Sequence, residues 1–373
     1  MTTIVVPQFG CNLNCKYCFA KPVRDKPYKP DLKAMREAIL KTDPRDDLCL
    51  HGGEITTIPI EHLEYLLSAC YSVKGYTNIM TNGYHLTEQM IRLFKRYKTV
   101  VGISIDGPPS FNRLRGFPDD PEMLHDYNET LNRNIQRLRS EGIEVAFICV
   151  LHKLNAGSPR KVERLLQWLV ENKLYHGRLN LMAATRPEAK KYELTPEQQK
   201  VAYEKIYEFV KVHPEIKWNP FREFIDNMLG KNLAPCFVNR CDPFCTICKS
   251  ILPDGRMGNC DATFCLDAYY RTQKSTMRAD ILKETDCEGC RYWEICGGGC
   301  PMRAIDNDWR NKTRFCEAIK HLYSLIERDL RGLMPNVTLA VDVPNFYEEY
   351  HLKGKILSMN EIIESTWRRW RQC

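Results

Sequence analysis

Residues Thr3–Cys18 read TIVVPQFGCNLNCKYC, a short apolar run followed by a loop with three cysteines. The run Thr3–Val6 is β-branched and apolar, which is typical of a buried strand. Cys11, Cys15 and Cys18 follow, with three and then two residues between them. Thiolates are soft ligands that suit iron–sulfur clusters or zinc. Three of them can hold three corners of a [4Fe–4S] cluster and leave the fourth iron open for another ligand.

Alternating strand and helix patterns follow this stretch. Strands are predicted at Thr3–Val6, Leu48–His51, Tyr76–Thr81, Val100–Ile105, Val145–Leu151 and Leu179–Met182, and helices at Pro59–Ser72, Thr87–Tyr97, Pro121–Ser140 and Pro159–Asn172. Repeated βα units predict a parallel sheet, and six of them predict an α/β fold of the partial (β/α)6 TIM-barrel type. In such a barrel the chemistry lies on the loops that follow the strands.

The composition is typical of a globular protein of a reducing cytoplasm. The 373 residues are 43% hydrophobic, and no run is long enough for a membrane span or has a signal-peptide pattern. The 18 cysteines are therefore expected to be metal ligands and buried thiols rather than disulfides. Cys49, Cys70 and Cys149 fit buried thiols. A net charge of +7 is modest, and we expect neither nucleic acid nor a membrane as a partner.

A second region of different composition follows a helical segment from Thr195 to about Gly230. Eleven cysteines lie between Cys236 and Cys316, among few apolar runs. Bound metal is expected to stabilise such a region, with a zinc ribbon as the alternative to iron–sulfur clusters. We predict a partial barrel over residues 1–230, including a helical linker from about 186, then a cysteine-rich domain over 231–333. A helix after Lys312 is expected, and residues 334–373 form an extension of unknown role.

The three-cysteine loop resembles that of the radical S-adenosylmethionine (SAM) superfamily, in which CxxxCxxC follows the first strand of a partial barrel. The resemblance implies a [4Fe–4S] cluster at Cys11, Cys15 and Cys18, with SAM on the open iron and Tyr17 packed by the adenine. It also implies an external one-electron reductant, and cleavage of SAM to a 5′-deoxyadenosyl radical. The cofactor then supplies the chemistry, and the protein aims it and excludes water.

Further turns match motifs of this superfamily in order and spacing, although each alone is an ordinary turn sequence. Gly52-Gly53-Glu54 matches the GGE motif, which is implied to contact the SAM amino group, and Ile55 stands where the family often has proline. Ser104 and Asp106 lie in an SxDG motif, in which Ser104 is a candidate ribose contact. The implied cofactor-binding residues are Tyr17, Gly52, Gly53, Glu54, Asn82, Ser104, Asp106, Val150 and Asn155, with Arg115-Gly116 as weaker candidates.

The later cysteines resemble a SPASM domain, which holds two auxiliary [4Fe–4S] clusters in many peptide-modifying radical SAM enzymes. Three clusters are therefore implied in all. The resemblance implies Cys241, Cys245, Cys260 and Cys300 for the first auxiliary cluster, and Cys287, Cys290, Cys296 and Cys316 for the second. In the first cluster, Cys236 or Cys248 could replace Cys241 as a ligand, or one iron could stay open.

Two side chains are candidates for catalysis. Asp261 directly follows Cys260, at a position where sulfatase-maturing relatives have a proton-accepting aspartate, and the alternative is that it caps a turn. His51 lies at the end of the second predicted strand.

The resemblance implies a peptide maturase as the leading hypothesis. Such an enzyme abstracts hydrogen from a ribosomally made precursor peptide and installs a thioether or carbon–carbon crosslink. Because the predicted barrel starts at the first residues, leader recognition is expected to need a separate protein or the C-terminal region. The second hypothesis is an anaerobic sulfatase-maturing enzyme that forms formylglycine. The third is a non-enzymatic iron–sulfur carrier or a zinc-stabilised binding protein.

Overall fold

The computed structural model describes residues 2–231, 248–258, 260 and 275–346. The chain divides into two units, which are taken in turn below. The first unit comprises Met1–Asn155, Trp168–Glu193 and Pro243–Gln273, and the second comprises Ala156–Gln167, Leu194–Asp242 and Lys274–Cys373.

A parallel sheet forms the centre of the first unit. Its strands run in the order β6-β5-β4-β3-β2-β1-β8-β9, and every neighbouring pair is parallel except β8 and β9. The strand β7 belongs to the second unit. The bounds are β1 Thr2–Val5, β2 Asp47–Leu50, β3 Thr77–Thr81, β4 Thr99–Ser104, β5 Val145–Leu151, β6 His176–Leu181, β7 Lys217–Asn219, β8 Cys248–Ile251 and β9 Met257–Gly258.

The six predicted strands are confirmed, and so is the α/β fold of partial-barrel type. β5 has its predicted bounds, whereas β6 begins at His176, three residues before the predicted start. The burial along β5 alternates, with Val145, Phe147, Cys149 and Leu151 buried, which is the period of two expected for a strand. Cys70 is also buried, as predicted, and Cys49 is half-buried.

The strand β8 was not predicted. It pairs in parallel with β1, with Val5 opposite Ile251, and so extends the sheet beyond the first strand. Its short CKSI sequence lies C-terminal to the predicted boundary at residue 230, among cysteines that suggested a metal-bound region. The extents of the predicted SPASM domain and of the extension stay predictions.

Four of the described α-helices begin at a side-chain cap, formed by Asp31, Thr87, Asp120 and Thr195. Asp120 accepts a hydrogen bond from the amide of Met123 at 3.1 Å, and Pro121 occupies the first turn of the longest helix in the first unit. Leu32–Leu40 was not predicted. The longer helices described are Leu32–Leu40, Ile60–Lys74, Glu88–Arg96, Pro121–Ser140, Pro159–Glu171, Pro196–Val212, Phe221–Met228, Ser275–Glu284 and Cys316–Leu333, and the short ones are Lys153–Ala156, Pro187–Lys190 and Trp293–Cys296.

The prediction of one helical segment from Thr195 to Gly230 was wrong. The helix Pro196–Val212 ends before β7, and a second helix begins at Phe221. Proline disfavours the helical conformation of the residue before it, so Pro214 and Pro220 account for this interruption.

The second unit packs around the helix Cys316–Leu333, which confirms the helix predicted after Lys312. Its buried residues Ile319, Leu322, Tyr323 and Ile326 recur at helical spacing. Tyr323 donates a hydrogen bond to Asn227 at 2.7 Å. Among the described residues, no helix is long and apolar enough to cross a membrane.

Candidate functional site

Cys11, Cys15 and Cys18 lie on the loop that follows β1. The sulfur of Cys11 accepts hydrogen bonds from the amide of Leu13 at 3.5 Å and from the side chain of Asn82 at 3.8 Å. The sulfur of Cys15 accepts one from the amide of Gly116 at 3.4 Å. N–H groups directed at sulfur stabilise negative charge there, as the ligands of an iron–sulfur cluster require.

The three thiols also influence one another. Burial raises the pKa of Cys11 to about 12, and the other two cysteines add to this effect. Burial likewise raises the pKa of Cys15 to about 11, although the nearby charge of Arg115 opposes it. Thiolates that raise one another's pKa in this way are stabilised by the positive charge of bound metal ions. The residues therefore fit a [4Fe–4S] cluster, with Cys11, Cys15 and Cys18 as its ligands.

Backbone hydrogen bonds join the cysteine loop to the loop after β4. The amide of Asn14 donates to the carbonyl of Gly116 at 2.8 Å, and the amide of Lys16 donates to that of Leu114 at 2.9 Å. Arg186 also donates to the carbonyl of Lys16, at 3.1 Å. The position of the cysteines thus depends on contacts about one hundred residues away in the sequence.

Gly52 and Gly53 allow the loop after β2 to approach the chain just before Cys11. The amide of Gly53 donates to Gln8 at 3.0 Å. A Cβ atom at Gly53 would lie 1.8 Å from the carbonyl oxygen of Gly10. The close approach that requires glycine is therefore to the protein's own backbone. The implied contact of both glycines with SAM stays a prediction.

The carboxylate of Glu54 is buried and fully engaged within the protein. One oxygen accepts from the amide and hydroxyl of Thr56 at 3.0 and 2.8 Å, and from the hydroxyl of Thr81 at 2.6 Å. The other accepts from the amide of Asn82 at 2.6 Å. Glu54 thus connects the loops after β2 and β3, and its contact with the SAM amino group stays a prediction.

Asp106 is the centre of a second buried network, after β4. Its carboxylate accepts hydrogen bonds from the hydroxyl of Tyr17 and from the amide of Val150 at 2.8 Å. It also pairs with Arg115 at 3.1 Å and lies 3.4 Å from His152. Although burial raises the pKa of Asp106, Arg115 and His152 together hold it below its usual value. Asp106 is therefore ionised and anchors the cysteine loop through Tyr17.

Asn155 fixes the loop after β5 to this network. Its side-chain amide donates to the carbonyls of Asp106 at 3.0 Å and Val150 at 2.9 Å, and its oxygen accepts from the amide of His152 at 2.8 Å. Ser104 ends β4 and is half-buried. The structure thus brings these predicted residues together at the ends of β4 and β5. Their contacts with the nucleoside of SAM stay predictions.

In the second unit, four cysteines line one cavity. Cys287, Cys290, Cys296 and Cys316 surround it, together with apolar side chains and Lys320. Burial raises the pKa of Cys287 to about 11, and Cys290 and Cys316 add to this. Four thiols around one cavity fit the ligand set of a [4Fe–4S] cluster.

Comparisons with known proteins agree with this geometry. Residues 5–166 match the radical SAM superfamily. The chain contains a radical SAM domain. It is 22% identical over 364 residues to the cysteine-type anaerobic sulfatase-maturating enzyme of Clostridium novyi, covering 84% of this chain and 91% of the relative. The corresponding enzyme of Clostridium perfringens strain 13 is 22% identical, with 78% and 86% covered.

Solved structures share the fold. Native anSMEcpe with bound AdoMet and the Cp18Cys peptide has a TM-score of 0.71 at 19% identity, covering 90% of this chain and 99% of that one. Streptococcus suis SuiB bound to precursor peptide SuiA has a TM-score of 0.59 at 16% identity, with 84% and 75% covered. These structures show that the fold is shared, and the radical SAM domain at residues 5–166 identifies SAM and a [4Fe–4S] cluster as cofactors.

Sequence reasoning missed part of the radical SAM site. From the sequence, Arg115 was only a weaker candidate for cofactor binding. Its guanidinium lies 5.4 Å from the centre of the Tyr17 ring and pairs with Asp106. His152 was not predicted at all, although it is fully buried beside Asp106. Its position directly after the strand Val145–Leu151 was the one signal available.

Two predicted catalytic residues remain, His51 and Asp261. His51 directly follows β2 and is half-buried, with its amide donating to Val5 at 2.9 Å. Its catalytic role stays a prediction. Asp261 lies outside the described residues, and so do Cys241, Cys245 and Cys236.

The ligand set of the first auxiliary cluster also stays a prediction. Of its members, Cys300 is buried and Cys260 is half-buried. The backbone of Cys248 belongs to β8, whereas its side chain is not described. Within residues 2–231, 248–258, 260 and 275–346, no three His, Cys, Asp or Glu side chains converge as a single metal ion would require. A [4Fe–4S] cluster binds its four cysteines through separate irons.

Proposed function

We propose that this radical SAM enzyme oxidises a ribosomally made precursor peptide and installs a thioether or carbon–carbon crosslink. The observation that carries the proposal is the second set of four thiols, Cys287, Cys290, Cys296 and Cys316, around one cavity. Hydrogen abstraction removes one electron from the substrate, with its proton, and a crosslink requires the loss of a second electron and proton. A cluster held by these thiols would provide a one-electron acceptor for that second step.

The chain's own residues hold and shield the SAM-binding loop. When bound, SAM and its cluster supply the 5′-deoxyadenosyl radical after one electron arrives from an external reductant. Glu54 holds the turns after β2 and β3, and Asp106 anchors Tyr17 and Arg115. Because Asp106 and His152 are fully buried, this side of the site excludes water, as radical chemistry requires.

The second candidate is formylglycine formation on a sulfatase. The observation that favours it is the extent of the match to the cysteine-type anaerobic sulfatase-maturating enzymes, which reaches 84% of this chain. In this reaction the oxidised residue is a cysteine or serine, and Asp261 is the proposed proton acceptor. The early chemistry is shared by both candidates, and the product distinguishes them.

The partners follow from the reaction. An external one-electron reductant is required, and a cytoplasmic flavin or iron–sulfur protein fits this role. A separate leader-recognition protein is part of the proposal for a precursor peptide and is unnecessary for a sulfatase.

The test is an anaerobic reaction of the reconstituted enzyme with SAM and dithionite. We expect 5′-deoxyadenosine from the wild type and none from Cys15→Ala, which should still contain the iron of the auxiliary clusters. Peptides encoded beside the gene, and cysteine-containing sulfatase peptides, are then supplied as substrates. Loss of two hydrogens without a new carbonyl supports a crosslink, and an aldehyde that reacts with a hydrazide supports formylglycine. Deoxyadenosine with every peptide unchanged would refute the peptide proposal.

A further inference from the structure

Arg278 is a buried cation beside the auxiliary cysteines. It lies on the helix Ser275–Glu284 and is 5% exposed. Its guanidinium donates hydrogen bonds to backbone carbonyls of two loops. The acceptors are Trp309 at 2.6 Å, Gly299 at 3.1 Å, Asn311 at 3.1 Å, Gly298 at 3.3 Å and Gly297 at 3.4 Å.

Both loops carry cysteines of the predicted auxiliary clusters. Residues 297–299 connect Cys296 of the second cluster to Cys300 of the first, and residues 309–311 precede Cys316. The turn at Gly298 has φ +81°, and a Cβ atom there would lie 2.4 Å from a methyl group of Leu282. The glycine run therefore allows the loop to pack closely against the helix that carries Arg278.

The charge of Arg278 has no acidic partner among the residues that the structure describes, because all five of its acceptors there are neutral carbonyls. Carbonyl dipoles solvate a cation but do not neutralise it, and a buried unpaired charge is unfavourable. Negative charge nearby would therefore stabilise the arrangement.

A cluster bound to the second set of thiols would be the nearby source of negative charge. Gly298, whose carbonyl accepts a hydrogen bond from Arg278 at 3.3 Å, lines the same cavity as Cys287, Cys290, Cys296 and Cys316. The guanidinium thus contacts the wall of the cavity that would hold the second auxiliary cluster.

We propose that Arg278 is the counter-charge of the second auxiliary cluster and raises its reduction potential. A [4Fe–4S] cluster with four thiolate ligands is negatively charged, and reduction adds a further negative charge. A fixed cation in a buried site stabilises the reduced form more than the oxidised form, which would make the second auxiliary cluster a better electron acceptor. The inference rests on the auxiliary clusters of the proposed function, and it makes Arg278 a positioning and tuning residue.

The test compares two substitutions that separate charge from hydrogen bonding. Arg278→Gln keeps N–H donors but removes the charge, whereas Arg278→Lys keeps the charge with fewer directed donors. Both are made in protein in which Cys11, Cys15 and Cys18 are alanine, so that the auxiliary clusters alone give signals. Arg310→Gln is the matched control, since Arg310 is exposed and pairs with Asp308 at 2.5 Å.

The readouts are the midpoint potentials, from redox titration followed by electron paramagnetic resonance, and the iron content of each protein. We expect Arg278→Gln to shift the potential of the second auxiliary cluster to more negative values, while Arg278→Lys and Arg310→Gln stay close to the parent protein. Unchanged potentials in Arg278→Gln, or an equal shift in the glutamine and lysine variants, would overturn the proposal.

If Arg278→Gln loses its clusters, the iron contents of the glutamine and lysine variants distinguish a counter-charge from a hydrogen-bonding role. A counter-charge predicts that the lysine variant retains more iron than the glutamine variant, and equal loss in both would overturn the proposal in favour of a hydrogen-bonding role. A parent protein without iron would refute the auxiliary clusters and with them the proposed function, whereas a failed charge test in protein that retains its iron would refute the inference alone.

Discussion

Replacing Glu54 with glutamine tests whether this carboxylate acts as a structural tie or as a ligand contact. In either orientation of the amide, its NH2 group faces an N–H or O–H donor, such as the amide of Asn82. A buried donor left without its acceptor costs about 1–3 kcal/mol, and the remaining bonds from Thr56 and Thr81 weaken because the acceptor is no longer charged. Relief of the buried charge offsets part of this. We expect the free energy of unfolding to fall by about 2–4 kcal/mol.

The assay is anaerobic urea unfolding of the reconstituted protein, followed by circular dichroism, together with the dissociation constant of SAM. The matched control is Glu64→Gln, because Glu64 is a surface residue that pairs with Arg96 at 2.7 Å. Its loss should cost less than about 1 kcal/mol. If Glu54→Gln is as stable as the control but binds SAM more weakly, the structural argument is wrong and the carboxylate is a direct ligand contact.

Three further outcomes follow from the structure. Gly53→Ala should cost about 3–5 kcal/mol and reduce iron at the cysteine loop, whereas Gly332→Ala, which has open space around it, should change unfolding by less than about 1 kcal/mol in the same urea assay; similar effects would contradict the packing argument. Asp106→Asn leaves the Arg115 charge buried and should cost about 3–5 kcal/mol in urea unfolding. Because the pKa of Asp106 is lowered, this difference should be complete above its unfolded pKa of about 3.9 and lost as the pH falls through its folded pKa; a pH-independent difference would count against it. Lys320→Gln should lower the potential of the second auxiliary cluster alone, measured by redox titration, since Lys320 lines that cavity, and an unchanged potential would exclude its influence.

Local patterns in the sequence predicted most of the first unit. The strand β5 is confirmed at its predicted bounds because an alternating, β-branched run carries its own signal. The helix prediction from Thr195 to Gly230 was wrong because the prolines within it were given too little weight. The strand β8 could not be predicted, since its four residues are stabilised mainly by pairing with β1, about 245 residues earlier in the chain.

The candidate site shows the same division. The spacing of Cys11, Cys15 and Cys18 indicated a three-ligand cluster, because neighbouring residues of one loop can bind one cofactor whatever the rest of the chain does. The turn that carries Glu54 was recognised from its sequence, but the hydrogen bonds of Glu54 to the turn after β3 depend on sheet order. His152 was missed because its contact with Asp106 forms only when the loop after β5 folds beside the loop after β4.

The sequence by itself determined the chemistry of the chain: cysteine spacing and short motifs are local, and they identified the cluster loop and the βα pattern. Tertiary structure alone decided which buried charges meet. Asp106 pairs with Arg115 and with the loop after β5, and Arg278 reaches two cysteine loops, because folding brings distant segments together. The strength of such charge interactions depends on distance and burial, and neither is encoded in the spacing of residues along the chain.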